Sequence, residues 1–223
     1  MLGGQKIIKT TNILDTVKYI DGLKAIIFDM DDTLYSEKEY IRSGYRKIAE
    51  LFPQIEGADR QLWNLFLEGK PAIDEFLKQQ NLFSDENKEK CLTAYRLQKP
   101  DIHLYPGVKA MLLDLRKRYL VGLITDGRPE GQWAKIVALR IEPLIDEIIV
   151  TDELGGIKYR KPNDVAFRLM ADRMCMSFEQ MCYIGDNARK DFMAPQKLGM
   201  RCIWVRNEDG LYGIRSGIRA VDK

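Results

Sequence analysis

The sequence is poor in several features that would decide its class outright. Its 223 residues hold one histidine, His103, and four cysteines, Cys91, Cys175, Cys182 and Cys202. No two cysteines form a CxxC pair, which excludes paired-thiol zinc sites and disulfide-stapled scaffolds. With a single histidine, placed away from any motif, histidine-based hydrolysis and most zinc sites drop out. Charge of one sign is also missing: 35 Lys+Arg stand against 33 Asp+Glu, a net +2. A nucleic-acid partner held by charge alone is therefore not expected. No apolar run approaches the roughly 18 residues of a membrane span, so no membrane partner is expected. There is no P-loop and no GxGxxG, and Gly155-Gly156 reads as a turn. Repeats and low-complexity segments are absent. The first residues carry lysine and polar side chains instead of a hydrophobic signal core. Three of the cysteines sit among apolar neighbours. Together these point to a cytoplasmic protein with buried thiols.

What the sequence does have is alternation. Five short apolar runs read as strands buried on both faces: Ala25–Phe28, Leu120–Ile124, Glu147–Val150, Met181–Gly185 and Arg201–Val205. Helical patterns separate them. Val108, Met111, Leu112 and Leu115 follow i, i+3, i+4, i+7 spacing. Trp133–Leu139 reads the same way. A helix is expected to start at Pro162, and another to run from Ala188 to Leu198, stopped by Gly199, with a bend or break at Pro195. Strand–helix alternation of this kind implies an α/β fold, a Rossmann-like doubly wound parallel sheet. Ligands in such sheets bind at the carboxyl ends of the strands.

One segment breaks the pattern. Residues 35–103 contain no convincing strand and read as helices over Glu37–Leu51, Asp59–Leu67, Ala72–Gln79 and Asp85–Leu97. We expect a small all-helical cap domain inserted directly after the first apolar run. The α/β core would then comprise residues 23–34 and 104–223, with residues 1–22 as an N-terminal extension holding a short helix near Ile13–Ile20.

The chemistry-bearing residues fall where the apolar runs end. Asp29 and Asp31 follow the first, Thr125 and Asp126 the second, and Asp186 the fourth, with Asp191 shortly after and Lys161 before it. The proposed fold brings all of them to one edge of the sheet. Several clustered carboxylates are costly without a cation, and an oxygen ligand set with room for water suits Mg²⁺. The motifs are more specific than the clustering. Phe28-Asp29-Met30-Asp31-Asp32-Thr33-Leu34 resembles the first motif, FDxDxTL, of the haloacid dehalogenase-like hydrolase superfamily. Ile124-Thr125-Asp126-Gly127 resembles its second, and Arg160-Lys161-Pro162 its third. Gly185-Asp186-Asn187 with Asp191 and Gly199-Met200 is similar to its fourth. The resemblance spans about Lys24 to Val205, and the insert resembles the family's helical cap.

That resemblance implies a Mg²⁺-dependent phosphatase acting on a small phosphomonoester, a sugar phosphate or nucleoside monophosphate, through an aspartyl-phosphate. It implies Asp29 as nucleophile and Asp31 as general acid and base, with Lys161 a fixed positive charge on Asp29 and phosphate. Thr125 and the Asp126 amide would bind phosphate oxygens. Asp29, Asp186, Asp191 and the Asp31 backbone carbonyl would serve the metal. Asp126 stands where the family often has Asn, a change that keeps the amide. Tyr35, Tyr40, Arg42, Tyr45 and Arg46 supply candidates facing the leaving group from the first cap helix. Arg128 is a candidate for a second anionic group, and Trp63 and Phe66 read as cap core. Asp31 disfavours dehalogenation. Lys38 lies in too polar a stretch to act as a Schiff-base lysine. A phosphomutase, a component of a larger biosynthetic enzyme and a non-catalytic interaction module stay open as alternatives, as do monomer and homodimer.

Overall fold

The computed structural model describes residues 6–211. Its core is one six-stranded parallel sheet. In chain order the strands are β1 (Ile8–Thr10), β2 (Ala25–Phe28), β3 (Leu120–Thr125), β4 (Glu147–Val150), β5 (Met181–Gly185) and β6 (Arg201–Val205), and their order in the sheet is β1-β6-β5-β2-β3-β4. β2 lies in the middle, paired with β3 through Phe28↔Leu123 and with β5 through Phe28↔Ile184.

Strand alternation sorts the apolar runs onto two faces. Ile26 and Phe28 point into a cluster with Val108, Leu112, Val121, Leu123 and Ile136. Ala25 and Ile27 point the other way, into a cluster with Phe167, Met170 and Tyr183. Helices α5 (Val108–Leu115) and α6 (Pro129–Leu139) cover the first face, and α7 (Val165–Met174) covers the second. Each such side chain, taken fully out of water, contributes about 1.5–3 kcal/mol. The run is apolar without a gap because both faces are covered.

The helical cap is α1 (Glu37–Ala49), α2 (Ala58–Leu67), α3 (Ala72–Gln79) and α4 (Asp85–Arg96), packed around Ile41, Tyr45, Ile48, Leu62, Phe66 and Phe76. Ser84 starts α4 by accepting the Asn87 N–H, an N-cap contact. The chain leaves the core and returns to it side by side. Tyr35 bridges Leu104, and the Tyr105 N–H donates to the Leu34 carbonyl at 2.9 Å. Asp32 pins this hinge. Its carboxylate accepts the Glu37 N–H at 2.9 Å and the Leu211 N–H at 2.7 Å. Leu211, which follows β6, is buried in the cap's own cluster.

Three local expectations are corrected. β1 was not expected; it pairs with β6 through Ile8↔Ile203, and the 3₁₀ helix Ile13–Tyr19 buries Ile13 on the core. The helix expected at Pro162 begins at Val165: Pro162–Asp164 form a turn first, in which the Asn163 side chain accepts the Val165 N–H at 2.9 Å. The helix expected from Ala188 is shorter: α8 covers only Met193–Leu198. Pro195 then sits in its first turn, where an amide N–H has no intrahelical partner to lose.

Candidate active site

The carboxyl ends of β2, β3 and β5 meet in the middle of the sheet. Asp29 follows β2 directly, and its own N–H continues the ladder to the Ile184 carbonyl at 2.8 Å. Asp186 follows β5 in the same way. Its carbonyl accepts the Trp204 indole N–H at 2.7 Å. Asp191 is turned back by the Asn187 N–H, which donates to its carboxylate at 2.8 Å. A Cβ on Gly185 would lie 2.6 Å from Asp191 Oδ2, so only glycine leaves room for this return. One carboxylate oxygen from each of Asp29, Asp186 and Asp191 lies within 4.8 Å of the others.

Lys161 supplies the positive charge. Its side chain is fully buried, and Nζ lies 2.5 Å from Asp29 Oδ1 and 2.9 Å from Asp191 Oδ1. Nζ also donates to the Tyr183 hydroxyl at 2.8 Å. Burial pulls its pKa down, but Asp191 and Asp29 outweigh that and hold it well above the usual lysine range. Asp126 places this lysine: its Oδ1 accepts the Lys161 backbone N–H at 3.1 Å, and its Oδ2 pairs with Lys190 at 2.9 Å. Burial pushes the Asp126 carboxyl up, yet Lys161 and Lys190 together hold it below the usual range.

Burial sets the charge state of the cluster. Burial raises Asp29 to about 7 against the pull of Lys161, with Asp191 adding to the rise. Burial and then the Asp191 and Asp29 charges push Asp186 well above the usual carboxylate range. Asp186 forms no ion pair among the described residues. Two of the three buried acids share Lys161, and the third forms no ion pair among the described residues; such a carboxylate set could hold a hard divalent ion, and its all-oxygen chemistry fits Mg²⁺.

Asp31 is not part of that cluster. Its carboxylate is held from the other side: Tyr35 Oη donates to it, Lys135 Nζ lies 2.7 and 3.0 Å from its two oxygens, and Gln132 Nε2 lies 3.3 Å from Oδ2. Gln132 Nε2 also donates to the Thr125 hydroxyl, which is fully buried. Lys135 is 3% exposed.

The structure thus gathers Asp29, Lys161, Asp186 and Asp191, with Thr125 and Asp31 joined through Gln132. Of the cap candidates, Tyr35 precedes α1 and reaches Asp31, and Tyr40 lies against Lys135 with its ring centroid 4.3 Å from Nζ. Arg42 instead stacks on Trp63, Tyr45 packs on Phe66, and Arg46 pairs with Asp101 at an exposed site. Arg128 and His103 are exposed, and His103 sits beside Glu39 and Asp101. Lys135, Gln132 and Tyr183 were missed by sequence reasoning. A signal existed for the first two: Gln132, Lys135, Ile136 and Leu139 are the buried face of α6 at i, i+3, i+4, i+7, and two of the four are polar.

A family model described as haloacid dehalogenase-like hydrolase matches residues 26–205. The chain belongs to that family. Within the haloacid dehalogenase-like hydrolases it is similar to the glyceraldehyde 3-phosphate phosphatase of Methanocaldococcus jannaschii, 28% identical over 208 residues, covering 85% of this chain and 87% of the relative. It is also similar to the pyrimidine 5'-nucleotidase YjjG of Escherichia coli, 20% identical over 195 residues, covering 81% and 84%. Among solved structures, the HAD-hydrolase YfnB of Bacillus subtilis, bound to magnesium, shares the fold with a TM-score of 0.62 at 20% identity, covering 82% and 86%. The α/β core with its helical cap is the fold of this family. Among the described residues no helix is long and apolar enough to cross a membrane.

Proposed function

We propose that the chain is a Mg²⁺-dependent phosphatase of a small sugar phosphate. One observation carries this reading: Lys161 Nζ bridges Asp29 and Asp191 within a buried three-carboxylate cluster, while Asp31, two residues after Asp29, is held apart from it. Two acids of one loop are thereby given different surroundings, Asp29 inside the carboxylate cluster and Asp31 against Lys135 and Gln132 of α6.

In this reading Asp29 Oδ attacks phosphorus. The ester P–O bond breaks, and the departing alkoxide takes a proton from Asp31. Water then attacks the aspartyl-phosphate, gives its proton to Asp31, and the Asp29–phosphate bond breaks to release phosphate. Lys161 keeps Asp29 in place and neutralises part of the phosphoryl charge. Thr125 and the Asp126 amide bind phosphate oxygens. Asp29, Asp186, Asp191 and the Asp31 carbonyl would hold Mg²⁺, which when bound offsets charge between Asp29 and the phosphoryl oxygens. The helical cap, residues 35–103 in this reading, shields the site from water. The substrate class follows the relatives whose names specify glyceraldehyde 3-phosphate.

The test is phosphate release from a panel of sugar phosphates and nucleoside monophosphates, with Mg²⁺ and with EDTA, beside Asp29→Asn. Release that needs both Mg²⁺ and Asp29, with the highest kcat/KM on a sugar phosphate, is expected. Release that survives Asp29→Asn overturns the mechanism. A higher kcat/KM on a nucleotide overturns the substrate class.

A further inference from the structure

Asp31 draws two of its partners from α6, a helix that carries no motif. Lys135 and Gln132 project from the same face of α6, three residues apart, and both reach the Asp31 carboxylate. Lys135 is buried, 3% exposed, and Asp31 is half-buried, 17% exposed. A buried ion pair gains little over apolar packing, so stability alone gives no reason for a lysine here. Its placement gives one. Lys135 Nζ meets both oxygens of Asp31 and lies over the ring of Tyr40 on the first cap helix. Gln132 ties the other side of Asp31 to the hydroxyl of Thr125.

We infer that Lys135 and Gln132 are positioning residues for Asp31, fixing its carboxylate at the point where leaving oxygen and then water exchange a proton. The inference rests on the phosphatase reading above. Through Tyr40 the same lysine also touches the cap. Thr125 and Asp31 are held by a single amide, which sets the distance between the phosphate oxygens and the proton-transfer group. Misplacing a catalytic group by about an ångström costs on the order of 100-fold, comparable to the lower end of what general acid catalysis supplies.

The experiment compares kcat/KM on the preferred sugar phosphate and on 4-nitrophenyl phosphate, with Mg²⁺, for the wild type, Lys135→Met and Gln132→Leu. An alkoxide leaves only with a proton, whereas nitrophenolate leaves without one. Lys135→Met is expected to lose about 30- to 100-fold on the sugar phosphate and under about 5-fold on the aryl ester. It should also release nitrophenolate in a burst, because water attack on the aspartyl-phosphate slows. Gln132→Leu keeps the ion pair and is expected to show the same contrast at smaller amplitude, so the idea stands or falls even if Lys135→Met fails to fold. Equal losses on the two esters in the variants that fold overturn the positioning role alone. A wild type inactive on every phosphomonoester overturns the phosphatase reading, and this role with it.

Discussion

Lys161 and Asp29 meet at 2.5 Å although 132 positions separate them, and neither side chain is accessible to solvent beyond 4%. The lysine is also 2.9 Å from Asp191, so one ammonium holds two carboxylates from different strand ends together. Lys161→Met would leave both acids buried without their cation. Unfolding in denaturant with EDTA present is expected to show a loss of about 3–5 kcal/mol. Adding Mg²⁺ should recover part of it. A variant as stable as the wild type in EDTA would mean the three acids are not charged together in the folded protein.

Asp186 forms no ion pair among the described residues, yet it is buried beside two other acids. Mg²⁺ should therefore stabilise the fold as well as serve the reaction. At 100 times its dissociation constant, a ligand that binds only the folded state adds about 2.7 kcal/mol. A rise in Tm with Mg²⁺ is expected for the wild type, and Asp186→Asn should lose most of it. An equal rise in both proteins would place the ion elsewhere.

The metal-free protein should weaken as pH rises from about 4 to 7. Asp29 and Asp32 are each raised to about 7, above all by burial. A carboxyl whose folded-state pKa lies above its unfolded value binds more protons folded than unfolded, so the penalty is absent below about pH 4 and complete above about pH 7. Asp126, held below the usual range, works in a separate window: its contribution is present at neutral pH and is lost on acidification through its lowered folded-state pKa. Urea midpoints in EDTA at pH 5 and pH 7.5 check this. The lower midpoint is expected at pH 7.5, and Mg²⁺ should narrow the gap. Identical midpoints without metal would contradict it.

Gly185 is the tightest point of the site. Alanine there would put a methyl group 2.6 Å from Asp191 Oδ2. The carboxylate must move, and with it one contact of Lys161. Gly185→Ala is expected to lower kcat by on the order of 100-fold while the protein stays folded, measured by phosphate release beside the circular dichroism spectrum. Unchanged kcat would mean the position of Asp191 does not matter to turnover.

How far the sequence could be read depended on burial. β2 and β5 are covered on both faces and appear as unbroken apolar runs, so their place was visible, and with it the acids at their ends. The first three cap helices were legible because each carries a buried stripe; Ala72–Gln79 matches to the residue. β1 was not, because Ile8–Thr10 is a three-residue edge strand, only half covered, with an exposed lysine in its middle. The Asp31 cradle was hidden for another reason. Lysine and glutamine on a helix ordinarily mark the solvent side, and only their register with Ile136 and Leu139 shows that they point inward. Tyr183 lies within an apolar run, and its ring fills the core; its hydroxyl meets Lys161 because tyrosine has an apolar body and a polar tip.

The pairing of Ile8 with Ile203 also bears on the order in which the molecule assembles. β1 has a single neighbour in the sheet, and that neighbour is the last strand among the described residues. During synthesis the first strand must wait, unpaired, until nearly the whole core has emerged. A contact of such long sequence separation closes late, since the entropy of closing the loop is repaid only once the intervening elements are in place. The edge of β6 stays open until then as a template for other chains, and β1 covers it as one of the closing events of folding.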